Sequence, residues 1–250
     1  MATVAAVPVL ELREVRRAFG GVRAVDGVTI AIPEGGVVAL IGPNGAGKST
    51  LFALMMGELA LSSGEIRLDG RDMRRLSAQA RARAGIGRTF QTPRLFAGLS
   101  VSENIAAALH ARVRDAEPAA EPRTALSEVG LYEQCNALAG SLSHGQRKRL
   151  ELAMVLALRP RVLLLDEPTA GMGVAERAAI MELVMGTVRR RGLTMVFCEH
   201  DMETVFAHAA RVVVMDRGAI LADGTPREVR ADPQVQRIYL GGQGPEVDPA

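Results

Sequence analysis

The nine residues Gly42-Pro43-Asn44-Gly45-Ala46-Gly47-Lys48-Ser49-Thr50 constrain this chain more than any other feature. They fit the spacing G-x-x-x-x-G-K-[ST]. The apolar run Val37–Ile41 precedes them and predicts a buried strand; Leu51-Phe52-Ala53-Leu54-Met55-Met56 follows and predicts a helix. Strand, glycine loop and helix together aim backbone N–H groups and a helix N-terminus at an anion, here the phosphates of a nucleotide. In this motif the backbone of Gly42, Pro43, Asn44, Gly45, Ala46 and Gly47 forms the cradle. Lys48 adds a point charge toward the β- and γ-phosphates, Ser49 offers a hydroxyl to Mg²⁺, and Thr50 completes the set.

Two further motifs carry chemistry. Val162-Leu163-Leu164-Leu165-Asp166-Glu167 reads as a fully apolar strand ending in two acids. At a sheet's carboxyl edge beside the phosphate loop, Asp166 is placed to hold Mg²⁺ through its water shell, and Glu167 to orient or deprotonate a water. Leu142-Ser143-His144-Gly145-Gln146 opens a helix over 146–158 with Leu150, Ala153, Met154 and Ala157 on one face. Ser and Gly at that N-terminus make a second anion site. Two such N-termini in one chain imply that two chains share the nucleotide.

Around these motifs, residues 9–70 read as short strands, including 28–32 and 64–70, and 72–84 as an Arg-rich helix. Residues 86–90 form a strand running into Gln91. From 100 to 158 the pattern is helical, with a run at 105–113, a proline-bearing loop at 114–123 and a short helix at 124–129. Strands at 162–165, 193–198 and 211–215 alternate with helical stretches, the signature of a parallel sheet. Two short helices follow over 225–240, then a Gly/Pro-rich end at 241–250 expected to fray. There is no internal repeat.

At 250 residues, the chain is long enough for one large or two small domains; 48% hydrophobic and 23% charged residues suit a soluble globular protein. No apolar run approaches the roughly 18–20 residues of a membrane span. Ala2–Leu10 lacks a basic leader and runs into Glu11-Leu12-Arg13, so no signal peptide is expected and the predicted location is cytoplasmic. A net charge of +2 argues neither for nor against nucleic acid. Lys48 and Lys148 are the only lysines, a bias read as compositional, and Arg147-Lys148-Arg149 as a solvated helix face. Cys135 and Cys198 form no C-x-x-C and are expected to pack.

With these residues in place the chain resembles, over about residues 9–240, the ATP-binding subunit of an ATP-binding cassette (ABC) transporter. Leu142–Gln146 resembles the signature usually written Leu-Ser-Gly-Gly-Gln, Thr89-Phe90-Gln91 the Q-loop, and Glu199-His200-Asp201 the switch region. Phe19 stands where an aromatic stacks on adenine. The resemblance implies an α/β fold: a P-loop NTPase (RecA-like) core sheet with an antiparallel β subdomain, and a helical insert. It implies one nucleotide-binding domain, with 9–91 and 156–224 as core, 92–155 as the helical subdomain and 225–250 as C-terminal helices and tail. It assigns catalysis to Glu167, His200 and Gln91. Mg²⁺ falls to Ser49, Gln91 and Asp166, and γ-phosphate contact in trans to Ser143, His144, Gly145 and Gln146. ATP and Mg²⁺ are the implied cofactors. Implied partners are a second ATPase in a head-to-tail dimer, membrane permease subunits and, indirectly, a periplasmic solute-binding protein, with no nucleic acid. The chain would lie at the inner face of the membrane.

Gly87–Phe96, Thr169-Ala170-Gly171-Met172-Gly173, Glu199-His200-Asp201-Met202 and Ile238-Tyr239-Leu240-Gly241 resemble the branched-chain and hydrophobic amino-acid uptake branch. Urea and amide importers and lipopolysaccharide-export ATPases share parts of this pattern, and soluble repair or translation ATPases of the family are the rival of another class. Three positions depart from the family. His144 replaces a glycine, either as a tolerated variant or as a pH-sensitive contact. Gly173 replaces the D-loop aspartate, and Phe19 the commoner tyrosine. Leu95 and Phe96 are either anchors for a permease helix or a local mini-core. The basic stretch Arg71–Arg94 is either a solvated face or a lipid-facing one.

Overall fold

The computed structural model describes residues 8–110 and 122–238. In chain order the elements are strands β1 (Pro8–Phe19), β2 (Val22–Pro33) and β3 (Val37–Ile41), helix α1 (Lys48–Met56), strands β4 (Ser63–Leu68) and β5 (Arg71–Asp72), helix α2 (Ala78–Ala84), strand β6 (Ile86–Thr89), and helices α3 (Val101–His110), α4 (Pro122–Glu128) and α5 (His144–Ala157). Strand β7 (Val162–Asp166), helix α6 (Val174–Arg191), strand β8 (Thr194–Cys198), helix α7 (Met202–His208), strands β9 (Arg211–Asp216) and β10 (Ala219–Gly224), and helices α8 (Pro226–Ala231) and α9 (Pro233–Ile238) complete it. The expected end at 241–250 and residues 114–121 of the loop expected at 114–123 lie outside the described residues; Pro122 and Arg123, expected in that loop, open helix α4 instead.

Two sheets form. One is antiparallel, in the order β2-β1-β4-β5. The other has the order β10-β9-β3-β8-β7-β6, parallel except at its β10 edge. Apart from the edge strand β6, the parallel strands are near-continuous apolar runs, as strands covered on both faces are. Alternation along each strand divides its residues between two cores. Ala39, Ile41, Leu163, Leu165, Met195, Phe197, Val212 and Val214 pack with the helices α3–α6. Val38, Leu40, Val162, Leu164, Val196, Cys198, Val213 and Met215 pack with α1 and the antiparallel sheet. The P-loop NTPase arrangement and the helical layer are therefore as the sequence implied. Cys198 is buried, and Cys135 packs at the edge of the helical core.

Several local expectations are revised. Residues 72–84 are not one helix: Arg71–Asp72 pair with Arg67–Leu68 as an edge strand, and α2 starts only after Ser77, whose side chain accepts the Ala80 N–H. The strands before the glycine loop are long rather than short, because β1 and β2 bend through register shifts between Leu12 and Val15 and between Arg17 and Ala18. Helix α3 begins earlier than its apolar run, at Val101, held by a reciprocal Ser100–Glu103 cap. Helix α5 is not amphipathic with one buried face. Leu150, Leu152, Ala153, Val155, Leu156 and Ala157 are all buried, since α5 runs between the sheet and the helices α3, α4 and α6.

The basic stretch Arg71–Arg94 is not uniformly solvated. Arg81 is 2% exposed, and its Nη1 donates to the carbonyls of Leu54 (2.6 Å) and Met55 (2.9 Å). These belong to the last turn of α1, where carbonyls lack intrahelical partners and the dipole is negative. Gly57 ends that helix at φ +80°, and a Cβ there would lie 2.7 Å from the Arg81 Nε. Arg81→Met strands the Met55 carbonyl and leaves that of Leu54 with only the Gly57 N–H at 3.2 Å, and is expected to cost about 1–3 kcal/mol, the penalty for a buried group left without a partner. Urea unfolding at constant slope measures it; a midpoint unchanged from wild type would remove Arg81 as the cap of the phosphate-loop helix.

Candidate active site

Parallel pairing of β3, β8 and β7 brings Ile41, Cys198 and Asp166 to one sheet edge, the place where open α/β sheets bind ligands. The glycine loop leaves β3 there and enters α1 at Gly47. Gly42 (φ +150°) and Gly47 (φ +104°) are required on two counts: a Cβ would stand 2.1 Å from the Met215 carbonyl oxygen and 2.3 Å from that of Ala24. Gly45, at φ +81°, faces open space. The Lys48 ammonium lies over the loop, donating to the carbonyls of Gly42 (2.5 Å) and Pro43 (3.0 Å). The loop frames a cleft of about 190 Å³ lined by Asn44–Thr50, Ala24, Glu167 and His200. Phe19 lies at the end of β1, exposed, with the Arg17 guanidinium 4.6 Å from its ring.

Glu167 follows β7 in a left-handed conformation (φ +48°), so its side chain turns back toward the cleft. Its carboxylate accepts the Gln91 Nε2–H at 2.8 Å on one oxygen and meets His200 Nε2 at 2.8 Å on the other. Three residues from separate chain segments thus meet on one carboxylate. The turn behind them is pinned: buried Glu199 accepts from both the N–H and the hydroxyl of Thr169, and Glu167 N–H donates to the Cys198 carbonyl. Backbone and side chain of the two acid-bearing turns are thereby fixed together.

Asp166 is buried beside Arg88, whose Nη2 donates to its Oδ2 at 2.7 Å while Nη1 reaches Glu58 at 2.8 Å. Arg88 also packs over the Phe90 ring, 4.9 Å away, and is only 7% exposed. It belongs to the site's electrostatics and not to a solvated surface, a second revision of the basic stretch. Ser143 caps α5: its hydroxyl accepts the Gln146 N–H and the Gln146 side chain accepts the Ser143 N–H. His144 Nε2 bonds to the Ala170 carbonyl at 3.1 Å, and a Cβ at Gly145 would fall 1.9 Å from a Glu176 carboxylate oxygen. Residues 143–146 are not part of the cleft lining.

Sequence reasoning missed two buried groups on α5. Lys148 is 5% exposed, not on a solvated face, and donates to the carbonyls of Glu167 (3.1 Å) and Phe90 (3.3 Å). Glu151 accepts the N–H groups of Phe90 and Arg94, on both sides of Gln91. Burial lowers the pKa of Lys148 and raises that of Glu151, each opposed by the other's charge. The available signal was compositional: of thirty basic residues all but two are arginine, and both lysines sit at this site. After Gln91, Leu95 packs against the helical core while Phe96 stays 56% exposed, so only part of the expected apolar pair faces outward.

A glycine-loop cradle at a parallel sheet edge, with Glu167 and His200 at its mouth and a helical layer beside it, defines a P-loop nucleotide-binding cassette. The family model described as "ABC transporter" matches residues 25–170, and that of the "Branched-chain amino acid ATP-binding cassette transporter" matches 219–244. The high-affinity branched-chain amino acid transport ATP-binding protein BraF of Pseudomonas aeruginosa is 39% identical, over 94% of this chain and 98% of its own. The ADP conformation of MJ1267, an ATP-binding cassette of an ABC transporter, superposes with a TM-score of 0.82 at 30% identity, over 94% of this chain and 99% of its own. The ATP-binding cassette MJ0796, dimeric in a post-hydrolysis state with ADP and Pi, superposes with a TM-score of 0.76 at 26% identity, over 87% and 99%. This chain belongs to the ABC transporter family, among its ATP-binding subunits. Among the described residues no helix is long and apolar enough to cross a membrane.

Arg88→Met leaves Asp166 buried without its partner and is expected to destabilise the fold by about 3–5 kcal/mol, as when one side of a buried ion pair is removed. Denaturant unfolding of the variant tests this; a loss below about 1 kcal/mol would class the pair with exposed ones.

Proposed function

We propose that this chain hydrolyses ATP to drive uptake of branched-chain or other hydrophobic amino acids through a separate membrane permease. The observation that carries the hydrolytic part is the Glu167 carboxylate, held by Gln91 and His200 at the mouth of the glycine-loop cleft. Lys48 and the Gly42–Thr50 loop bind the phosphates. Phe19 stacks on the adenine. Glu167 takes the proton of the attacking water while Gln91 and His200 keep its two oxygens oriented. Catalysis of this kind is mostly positioning and charge stabilisation.

The oxygen donors fit Mg²⁺: the Ser49 hydroxyl, the Asp166 carboxylate, and the amide oxygen of Gln91, whose Nε2 is engaged by Glu167. When bound, Mg²⁺ would neutralise charge on the β- and γ-phosphates.

A second copy or a related ATPase supplies Ser143, His144, Gly145 and Gln146 to the γ-phosphate. This reading is supported by their position outside the cleft of their own chain and by the dimer of the related MJ0796 cassette. Closure of the pair moves the permease and hydrolysis reopens it. A periplasmic solute-binding protein delivers the solute. The amino-acid reading is preferred to lipopolysaccharide export because of residues 219–244 and the likeness to BraF. Loss of leucine uptake on deleting this chain, restored by its return, tests the solute; unaffected uptake would discard it.

Lys48→Ala is expected to abolish ATP turnover; near-wild-type phosphate release would refute its role. Glu167→Gln is expected to lower turnover by about 10²–10⁴, the range for loss of a general base. It is also expected to accumulate an ATP-dependent dimer on size-exclusion chromatography. Normal hydrolysis with only monomer at every ATP concentration would overturn both the base and the shared site.

A further inference from the structure

We infer that Lys148 is a positioning residue of the hydrolytic site, through which helix α5 sets the backbone on both sides of the attacking water; this rests on the reading of Gln91 and Glu167 given above. The ammonium bridges the two segments just beyond the ends of the neighbouring strands β6 and β7, whose backbones are paired as far as Thr89 and Leu165. It donates to the carbonyl of Glu167, and to that of Phe90, the residue before Gln91. Three residues along the same helix, Glu151 receives the N–H groups of Phe90 (3.3 Å) and Arg94 (3.0 Å). Both ends of the segment that carries Gln91 are thus anchored on α5, and Gln91 reaches back to the Glu167 carboxylate. The circuit closes on itself: α5 to Phe90, Gln91 to Glu167, and Glu167 back to α5.

The choice of a charge here calls for a purpose. An ammonium removed from water is a poor stabiliser compared with a packed apolar side chain, even when it is paired. Four carboxylates face it from three elements: Glu151 on α5, Asp166 and Glu167 at the end of β7, and Glu199 after β8. Glu167 has φ +48°, so its carbonyl points where an ordinary strand extension would not. A three-donor point charge can hold that carbonyl and the Phe90 carbonyl at once. The same helix begins at the Ser143 cap, so one rigid rod carries both the signature motif and the group that orients the base.

The test is steady-state ATP turnover by the full-length chain with Mg²⁺, alongside thermal unfolding. Lys148→Met is expected to lower kcat about tenfold or more with KM for ATP within about threefold, since small misplacement of reacting groups costs rate while the phosphate cradle is untouched. Lys148→Arg, which keeps donors at the same place, is expected to recover much of that loss. In a Glu167→Gln background, Lys148→Met is expected to add less than about twofold, because both changes act on one step. A Lys148→Met protein with kcat within about twofold of wild type overturns the inference, as does one whose KM rises as much as kcat falls. Should that variant not fold, Lys148→Gln, whose neutral amide sits on a shorter stem and cannot reach both carbonyls, is read in the same way: reduced kcat at unchanged KM supports the inference, and wild-type kcat overturns it. Retained turnover in Glu167→Gln alone would instead remove the reading beneath it, whereas an inactive Glu167→Gln beside an active Lys148→Met removes only the role of Lys148.

Discussion

The parallel ladder of β3, β8 and β7 is the constraint from which the rest follows. Its hydrogen bonds fix Ile41, Cys198 and Asp166 at one edge, so the glycine loop, Glu167 and His200 emerge side by side although they are far apart in sequence. Such a sheet is stable only when both faces are covered. Residue alternation meets that demand by assigning one set of side chains to the helical core and the other to α1 and the antiparallel sheet. The site is therefore the exposed seam between two separately packed cores.

Charged groups bind that seam together from below. Arg81 closes the far end of the phosphate-loop helix, Arg88 links Asp166 to Glu58, and Lys148 joins Phe90 to Glu167. Each is buried and each spans elements that do not share a hydrophobic stripe. Apolar packing alone tolerates sliding, whereas a hydrogen-bonded charge in a low-dielectric interior is costly to misplace. This division suits a machine whose reacting groups must hold sub-ångström geometry while its outer layers respond to a partner.

The phosphate loop, the apolar strand ending in Asp166-Glu167, and Ser143 as a helix cap were legible because each depends on local spacing. The same is true of the parallel-sheet pattern, which is written in the apolar runs 37–41, 162–165 and 193–198. Where local reading failed, the cause was tertiary. Residues 72–84 looked uniformly helical, yet Arg71–Asp72 found an edge to pair with on β4. Helix α5 looked one-sided, yet neighbours surround it. The Arg and Lys residues of both segments looked solvated, because nothing in a run of basic residues says which of them meets a carbonyl 58 positions away or a carboxylate 78 positions away.

By itself the sequence determined a glycine loop at a strand-to-helix turn, two acids after a buried strand, and a second helix N-terminus capped by Ser143. These are short-range consequences of glycine conformational freedom, residue periodicity and capping. Only the tertiary structure decided that Gln91, Glu167 and His200 share one carboxylate, and that Arg88 and Lys148 are interior members of the site. Those outcomes depend on register between strands and on the dielectric each side chain meets once the layers close, and neither quantity is encoded within reach of a single motif.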